Sequence, residues 1–278
     1  MVRRQLSEKL IGKKIAAVDV RSLKAVRDDE AYESALAGKK ITGLKRAGKY
    51  LFFTLTGDTY LIGHLRMTGR MIFQADGSSE QVGGGHLLIK PVDSQPHKHT
   101  RIIFTFADGS HLYFNDMRKF GYLKRATKSE VENQKDKLGV EPLADAYNVA
   151  DFKDLLSGRK TPLKAALLKQ SDIAGLGNIY VDEACFRSYV RPDRLAGDLN
   201  EAETEALFAA TTSVLEDAIK HGGTTFRDYV DTEGEHGNFT DKLAVFAREG
   251  ETCLRCGETI EKSKVAGRGT HICPGCQK

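Results

Sequence analysis

Cys253-Leu254-Arg255-Cys256 and, sixteen residues further on, Cys273-Pro274-Gly275-Cys276 form two paired-cysteine knuckles. That spacing matches a four-thiolate metal ribbon. A module of residues 245–278 is too small to bury much core, so metal binding is expected to supply its folding free energy. One Zn²⁺ is the expected ion, with tetrahedral iron the rival. A closed Cys₄ site has no open coordination position, so this metal holds a hairpin and does no chemistry. The functional content is whatever the hairpin presents. Its loop reads Lys264-Val265-Ala266-Gly267-Arg268-Gly269-Thr270-His271, with Arg268 between two glycines at the expected tip. Such an arginine either enters a groove to bind phosphate or stands solvated. The fifth cysteine, Cys185, stands apart and is assigned no chemistry.

Upstream of the ribbon the apolar period is helical. Phe152, Leu155, Leu156, Leu163, Leu167 and Leu168 suit helices, residues 179–189 read as another, and residues 200–221 as a third. The acidic opening of that third stretch (Glu201, Glu203, Glu205) complements a helix N-terminus, and Gly222-Gly223 ends it. Between the helices, Ala174-Gly175-Leu176-Gly177-Asn178 runs straight into Ile179, with Asn178 as the expected N-cap. Glycines there let a backbone approach a phosphate at the free N–H groups of the helix, although the same turn also suits an ordinary helix–helix connection. Residues 222–239 carry four glycines without periodicity and read as a long functional loop.

The first third is strand-like. Residues 15–20, 50–56, 60–67, 86–90, 101–106 and 111–114 are short apolar runs, with Gly57-Asp58 and Asp108-Gly109 at hairpin positions. A short helix over residues 3–11, ended by Gly12, precedes them. The expected fold class is α+β: an N-terminal sandwich or barrel over 1–125, a linker over 126–149, a helical domain over 150–239 and a metal finger over 240–278. Hydrophobic residues at 40% of 278 exclude a disordered chain, and no apolar run reaches the ~20 residues of a membrane span. The N-terminus, MVRRQLSEKL, lacks the apolar core of a signal peptide, so a cytoplasmic location is expected.

A net charge of +4 is too mild to announce a nucleic-acid binder, but its distribution says more. Residues 1–50 hold 13 Lys/Arg against 6 Asp/Glu, whereas residues 191–236 hold 4 against 11. That asymmetry suggests one face built for an anionic partner. Lys45-Arg46-Ala47-Gly48-Lys49 precedes a strand, His97-Lys98-His99 lies in a loop, and Arg159-Lys160 joins two helices. Asp116-Met117-Arg118-Lys119-Phe120-Gly121 and His64-Leu65-Arg66-Met67 combine cations with apolar side chains. Singly, each is a common solvated face. Together they offer cations for phosphates, with Met67 and Phe120 as wedges of the kind that unstack DNA.

In order along the chain, KRAGKY, HLRMTGR, DMRKFG, LGVEPL, AGLGNIYVDE, HGGTTFRDYV and the final CxxC…AGRGTHxCPxC resemble the formamidopyrimidine-DNA glycosylase family, related to endonuclease VIII. The resemblance spans essentially the whole chain. It implies an N-terminal β-sandwich, a helix–two-turn–helix domain and a zinc finger, with duplex DNA in the cleft between domains. It implies base-excision repair of oxidised purines, 8-oxoguanine and formamidopyrimidines, by a glycosylase/AP lyase with β,δ-elimination, acting as a monomer on lesion or abasic DNA. By position, Lys49 contacts lesion phosphates and donates a proton in β-elimination. Met67, Arg118 and Phe120 fill the gap left by the flipped base, and Arg118 faces the orphaned cytosine. His97 and Arg159 contact DNA, and Asn178 binds lesion phosphates. Arg268 binds the same phosphates and assists δ-elimination. Residues 224–237 match the loop that closes over 8-oxoguanine, which favours the oxidised-purine enzyme. The four ribbon cysteines, Cys253, Cys256, Cys273 and Cys276, hold the zinc.

One departure bears on chemistry. Family members present a proline amine, within a PELPEVE-like segment, that attacks the sugar C1′, and two glutamates that support it. Met1-Val2-Arg3-Arg4 aligns just beyond that segment. The expectation is a chain that binds lesion DNA but is inactive or severely impaired, either as a late-start record of the enzyme or as a non-catalytic damaged-DNA-binding protein. A zinc-ribbon module without lesion chemistry is the weaker alternative, because it leaves the first domain without a role.

Overall fold

Apolar residues alternate along Leu51, Phe53 and Leu55, and an alternating strand must cover its apolar face with a second layer. The computed structural model supplies that layer. It describes residues 2–78, 81–85, 94–221, 223 and 239–278. The chain divides into two units, the first ending at Asp136 and the second beginning at Lys137.

The first unit opens with helix α1 (Val2–Leu10), stopped by Gly12 at φ 95°. Strands β1 (Ile15–Val20), β2 (Ile41–Ala47), β3 (Tyr50–Leu55), β4 (Thr59–His64), β5 (Gly69–Gln74), β6 (Gln81–Gly85), β7 (Thr100–Phe106), β8 (His111–Asp116) and β9 (Tyr122–Ala126) follow, with helix α2 (Tyr32–Leu36) after β1. They make two antiparallel sheets, β1-β7-β8-β5-β6 and β2-β3-β4-β9. Leu51, Phe53 and Leu61 of one sheet and Met71, Phe104 and Phe114 of the other share a single core with Leu6 and Leu10 of α1. This is the expected sandwich, and burial of each such side chain contributes about 1.5–3 kcal/mol. Four strands, β2, β5, β6 and β9, exceed the sequence expectation.

Residues 126–149, expected as a linker, instead contain helix α3 (Lys128–Lys135). Thr127 and Glu130 form a capping box, and Val131 packs with Phe52, Ile62 and Tyr122 on the outer face of the four-stranded sheet. From Lys137 the chain already belongs to the second unit, where the Gly139 N–H donates to the Gln170 carbonyl at 2.9 Å. The boundary therefore falls inside the expected linker.

The second unit holds α4 (Val149–Leu156), α5 (Leu163–Leu168), α6 (Asn178–Arg187) and α7 (Glu201–Lys220) around a core that includes Phe152, Leu167, Val181, Cys185, Leu207 and Val214. Asn200 and Glu203 cap α7 reciprocally, as its acidic opening implies. The finger hairpin, β10 (Glu261–Val265) and β11 (Arg268–Ile272), packs beside α6. The expected strand at 86–90 and the loop at 224–237 lie outside the described residues. Among the described residues, no helix is long and apolar enough to cross a membrane.

Candidate nucleic-acid interface

In the first unit, Lys49 sits in the two-residue turn joining β2 to β3, where Ala47 pairs with Tyr50. Gly48 supplies the positive φ, 53°, that such turns require. Lys49 is exposed at this turn. Two further turns converge nearby in the same unit. Residues 65–68 carry Met67, and residues 117–121 carry Arg118 and Phe120. The Arg118 guanidinium donates to the Met67 sulfur at 3.1 Å and lies 4.7 Å from the Phe120 ring centroid. Met67 is 55% exposed and Phe120 50%, so both apolar side chains of this contact face solvent. Met67 and Phe120, 53 positions apart in sequence, are thus joined through Arg118 in one amphipathic cluster.

His97 lies in the loop before β7. Its Nδ1 accepts the His99 N–H at 3.1 Å, so its proton sits on Nε2 when the ring is neutral. Burial, then the neighbouring His99, Arg70, Arg101 and Lys98, lower its pKa and keep it neutral. His64, at the end of β4, is pushed further down, to about 4, by burial and by Arg66, Lys49 and Arg27.

In the second unit the glycine-rich turn has Gly175 at φ 99°, and Gly177, not Asn178, caps α6. The expected N-cap role of Asn178 is therefore corrected. As the first helical residue it sends its side-chain Nδ2 to the Gly269 carbonyl at 3.0 Å, and its buried Oδ1 has no partner among the described residues. Gly269 adjoins Arg268, so helix turn and finger loop meet at these two positions. The finger tip itself is Ala266-Gly267, at φ 49° and 75°, and Arg268 opens β11 one residue later, exposed and paired with Val265. Arg159 is not free-standing: it donates to Asp172 at 2.6 Å.

Three residues escaped the sequence analysis. Lys164, with 0% exposure, donates to Asp182 at 2.6 Å and to the Gly269 carbonyl at 2.9 Å. The other Asp182 oxygen accepts the His271 N–H at 3.0 Å. Glu183 accepts the N–H groups of Ala244, Val245 and Phe246 at 2.8, 2.9 and 2.9 Å. The two acids inside an otherwise apolar stretch of α6, and a lysine within Leu163-Lys164-Ala165-Ala166, were the available signal.

The four cysteine sulfurs lie within 4.8 Å of one another. A tetrahedral Zn²⁺ with Zn–S near ~2.3 Å separates its sulfurs by about 3.8 Å, so the cage fits the ion. Cys253 and Cys276 are 3.9 Å apart, and Cys256 and Cys273 3.3 Å. These four residues hold one structural zinc.

Comparison with known proteins agrees with this assembly. The formamidopyrimidine-DNA glycosylase N-terminal domain matches residues 1–123, that enzyme's H2TH domain residues 138–230, and a zinc finger found in FPG and IleRS residues 250–278. The formamidopyrimidine-DNA glycosylase of Heliobacterium modesticaldum is 42% identical over 281 residues, covering 100% of this chain and 97% of that protein. Lactococcus lactis Fpg in complex with DNA containing an abasic site superposes with a TM-score of 0.85 at 35% identity, over 100% of this chain and 97% of that one. A mutant of the same enzyme in complex with DNA containing Fapy-dG gives 0.86 at 35% identity over the same shares. The chain belongs to the formamidopyrimidine-DNA glycosylase family.

Proposed function

We propose that this chain recognises oxidised purines and abasic sites in duplex DNA as a monomer, holding the damaged nucleotide out of the stack. The single observation that carries this is the exposed wedge of Met67, Arg118 and Phe120, joined by direct contacts. Apolar side chains stand in for the missing base, and a guanidinium suits a bidentate contact with an orphaned base edge. The abasic and Fapy-dG DNA held by the Lactococcus enzyme supports the same choice of ligand. Lys49 and His97 in the first unit, and Arg159, Asn178 and Arg268 in the second, are the proposed phosphate contacts. In β,δ-elimination, Lys49 would donate the proton and Arg268 would steady the departing phosphate.

The test is titration with duplex containing 8-oxoguanine opposite cytosine, beside undamaged duplex of the same sequence. The expected result is tighter binding to the lesion duplex, and binding no tighter than to undamaged duplex overturns the proposal.

A further inference from the structure

We infer that Asp116 is a positioning residue for reading the orphaned base. Its buried carboxylate, relayed through Thr68, locks the two wedge turns in register and so sets where the Arg118 guanidinium stands. This rests on the proposed lesion-binding function.

Asp116 is the last residue of β8 and is 1% exposed. One carboxylate oxygen accepts the Thr68 hydroxyl and the Arg118 backbone N–H, the latter at 3.1 Å. The other accepts the Gly121 N–H at 2.7 Å. Thr68 completes a triangle, since its hydroxyl also accepts the Arg118 N–H at 3.0 Å. A single carboxylate thus spans both ends of the 117–121 turn and reaches across to the residue after Met67. The Asp116 backbone is held as well. Its N–H donates to the His99 carbonyl at 2.9 Å, and its carbonyl accepts Arg101 Nε at 2.7 Å.

The chemistry demands a carboxylate. All three partners are donors, and only an acceptor on both oxygens satisfies them. An asparagine would turn its NH₂ toward either the Gly121 N–H or the Thr68–Arg118 pair, donor against donor. Burial without full pairing is costly, so every bond here is constrained. Space is equally tight. A Cβ on Gly121 would lie 3.1 Å from the Asp116 oxygen and 3.0 Å from the Phe114 ring, and a Cβ on Gly69 would lie 2.3 Å from the Leu65 carbonyl oxygen. Within the turn, Lys119 is held at φ 58°, a left-handed conformation that a lysine keeps only when its surroundings impose it. An exposed arginine tip on an unclamped loop samples many positions. Discrimination between base edges needs it in one.

The experiment compares full-length wild type, Asp116→Asn, Thr68→Val and Thr68→Ser. Each is titrated by fluorescence anisotropy with duplexes holding a tetrahydrofuran abasic analogue opposite C, A, G or T, and with undamaged duplex. Wild type is expected to prefer cytosine. Asp116→Asn and Thr68→Val should lose that preference by about tenfold, as expected when one bidentate base contact is lost. Affinity for undamaged duplex should stay within about twofold, and Thr68→Ser, which keeps the hydroxyl, should retain the preference. If Asp116→Asn fails to fold, as judged by its melting curve, the half-exposed Thr68 pair decides. Folded variants that keep the wild-type preference overturn the inference, as does a wild type that binds abasic duplex tightly without any opposite-base preference. A wild type that does not favour abasic over undamaged DNA overturns the lesion-binding function and this inference together.

Discussion

The Lys164 ammonium lies 2.6 Å from the Asp182 carboxylate with neither side chain exposed. Removing one partner of such a pair strands a buried charge, which costs about 3–5 kcal/mol. Asp182→Ala is therefore expected to lower the stability of the second unit by that amount in chemical denaturation. Replacing both groups with apolar residues of similar volume, Lys164→Met with Asp182→Leu, should recover most of it. The double variant should still bind lesion DNA more weakly, because the Gly269 carbonyl loses its Lys164 donor and, among the described residues, keeps Asn178. Equal stability of Asp182→Ala and wild type would show that the pair is not closed in solution.

Zinc removal should act on one unit only. The apolar cluster beneath the finger is small: Phe186 of α6, Val245, Ile260, Cys253, Cys273 and Cys276. Its fold therefore depends on the metal. Stripping the ion with a chelator is expected to release one zinc per chain and to abolish protection of the Gly269 and His271 amides in hydrogen exchange. The melting of the β-sandwich should be unchanged. DNA binding should fall in parallel with zinc loss. Retained binding by the metal-free chain would remove the finger from the interface.

Acid should loosen the first unit through His64. Its ring is 8% exposed, its Nδ1 accepts the Arg66 N–H at 2.9 Å, and its pKa is about 4 against an ordinary 6.5. The folded pKa is depressed, so the unfolded chain takes up its proton first. The stability from neutral His64 is complete above pH 6.5 and is lost as pH falls toward 4, on the order of 3 kcal/mol in all. His64→Asn, whose side-chain oxygen can accept the same N–H, should flatten this part of the stability profile. An unchanged slope between pH 6.5 and 4 would assign the acid sensitivity to other groups.

The sequence revealed elements that carry their own periodicity. Phe104 and Phe106 alternate cleanly in β7, and α7 announces itself with Asn200 and Glu203. It did not reveal β2 (ITGLKRA), β6 (QVGGG) or β9 (YLKRA), whose polar and glycine residues hide a strand held by its neighbours' hydrogen bonds. The site divides the same way. Met67, Arg118, Phe120 and the cysteines sit in recognisable local motifs. What aligns them does not, because Asp116 meets Thr68 across 48 residues and Lys164 meets Gly269 across 105. Arg159 looked like a free cation because Asp172, its partner, is thirteen residues away on another turn.

Arg268 gives the sharpest separation between a solvated arginine and a phosphate ligand. It is exposed, opens β11, and stands next to Gly269, the carbonyl that Asn178 and Lys164 both bind. Its backbone is thus anchored while its side chain is left to solvent. A phosphate contact of this kind releases about one counterion, so Arg268→Ala should reduce the slope of log Kd against log salt by about one. Affinity should fall for every lesion and every opposite base alike, because a phosphate carries no sequence information. The cytosine preference proposed for Arg118 should survive unchanged. Salt titrations of wild type and variant on the same abasic duplex measure both quantities. An unaltered slope would leave Arg268 a solvated residue, and a selective loss of cytosine preference would move it from the phosphate to the base.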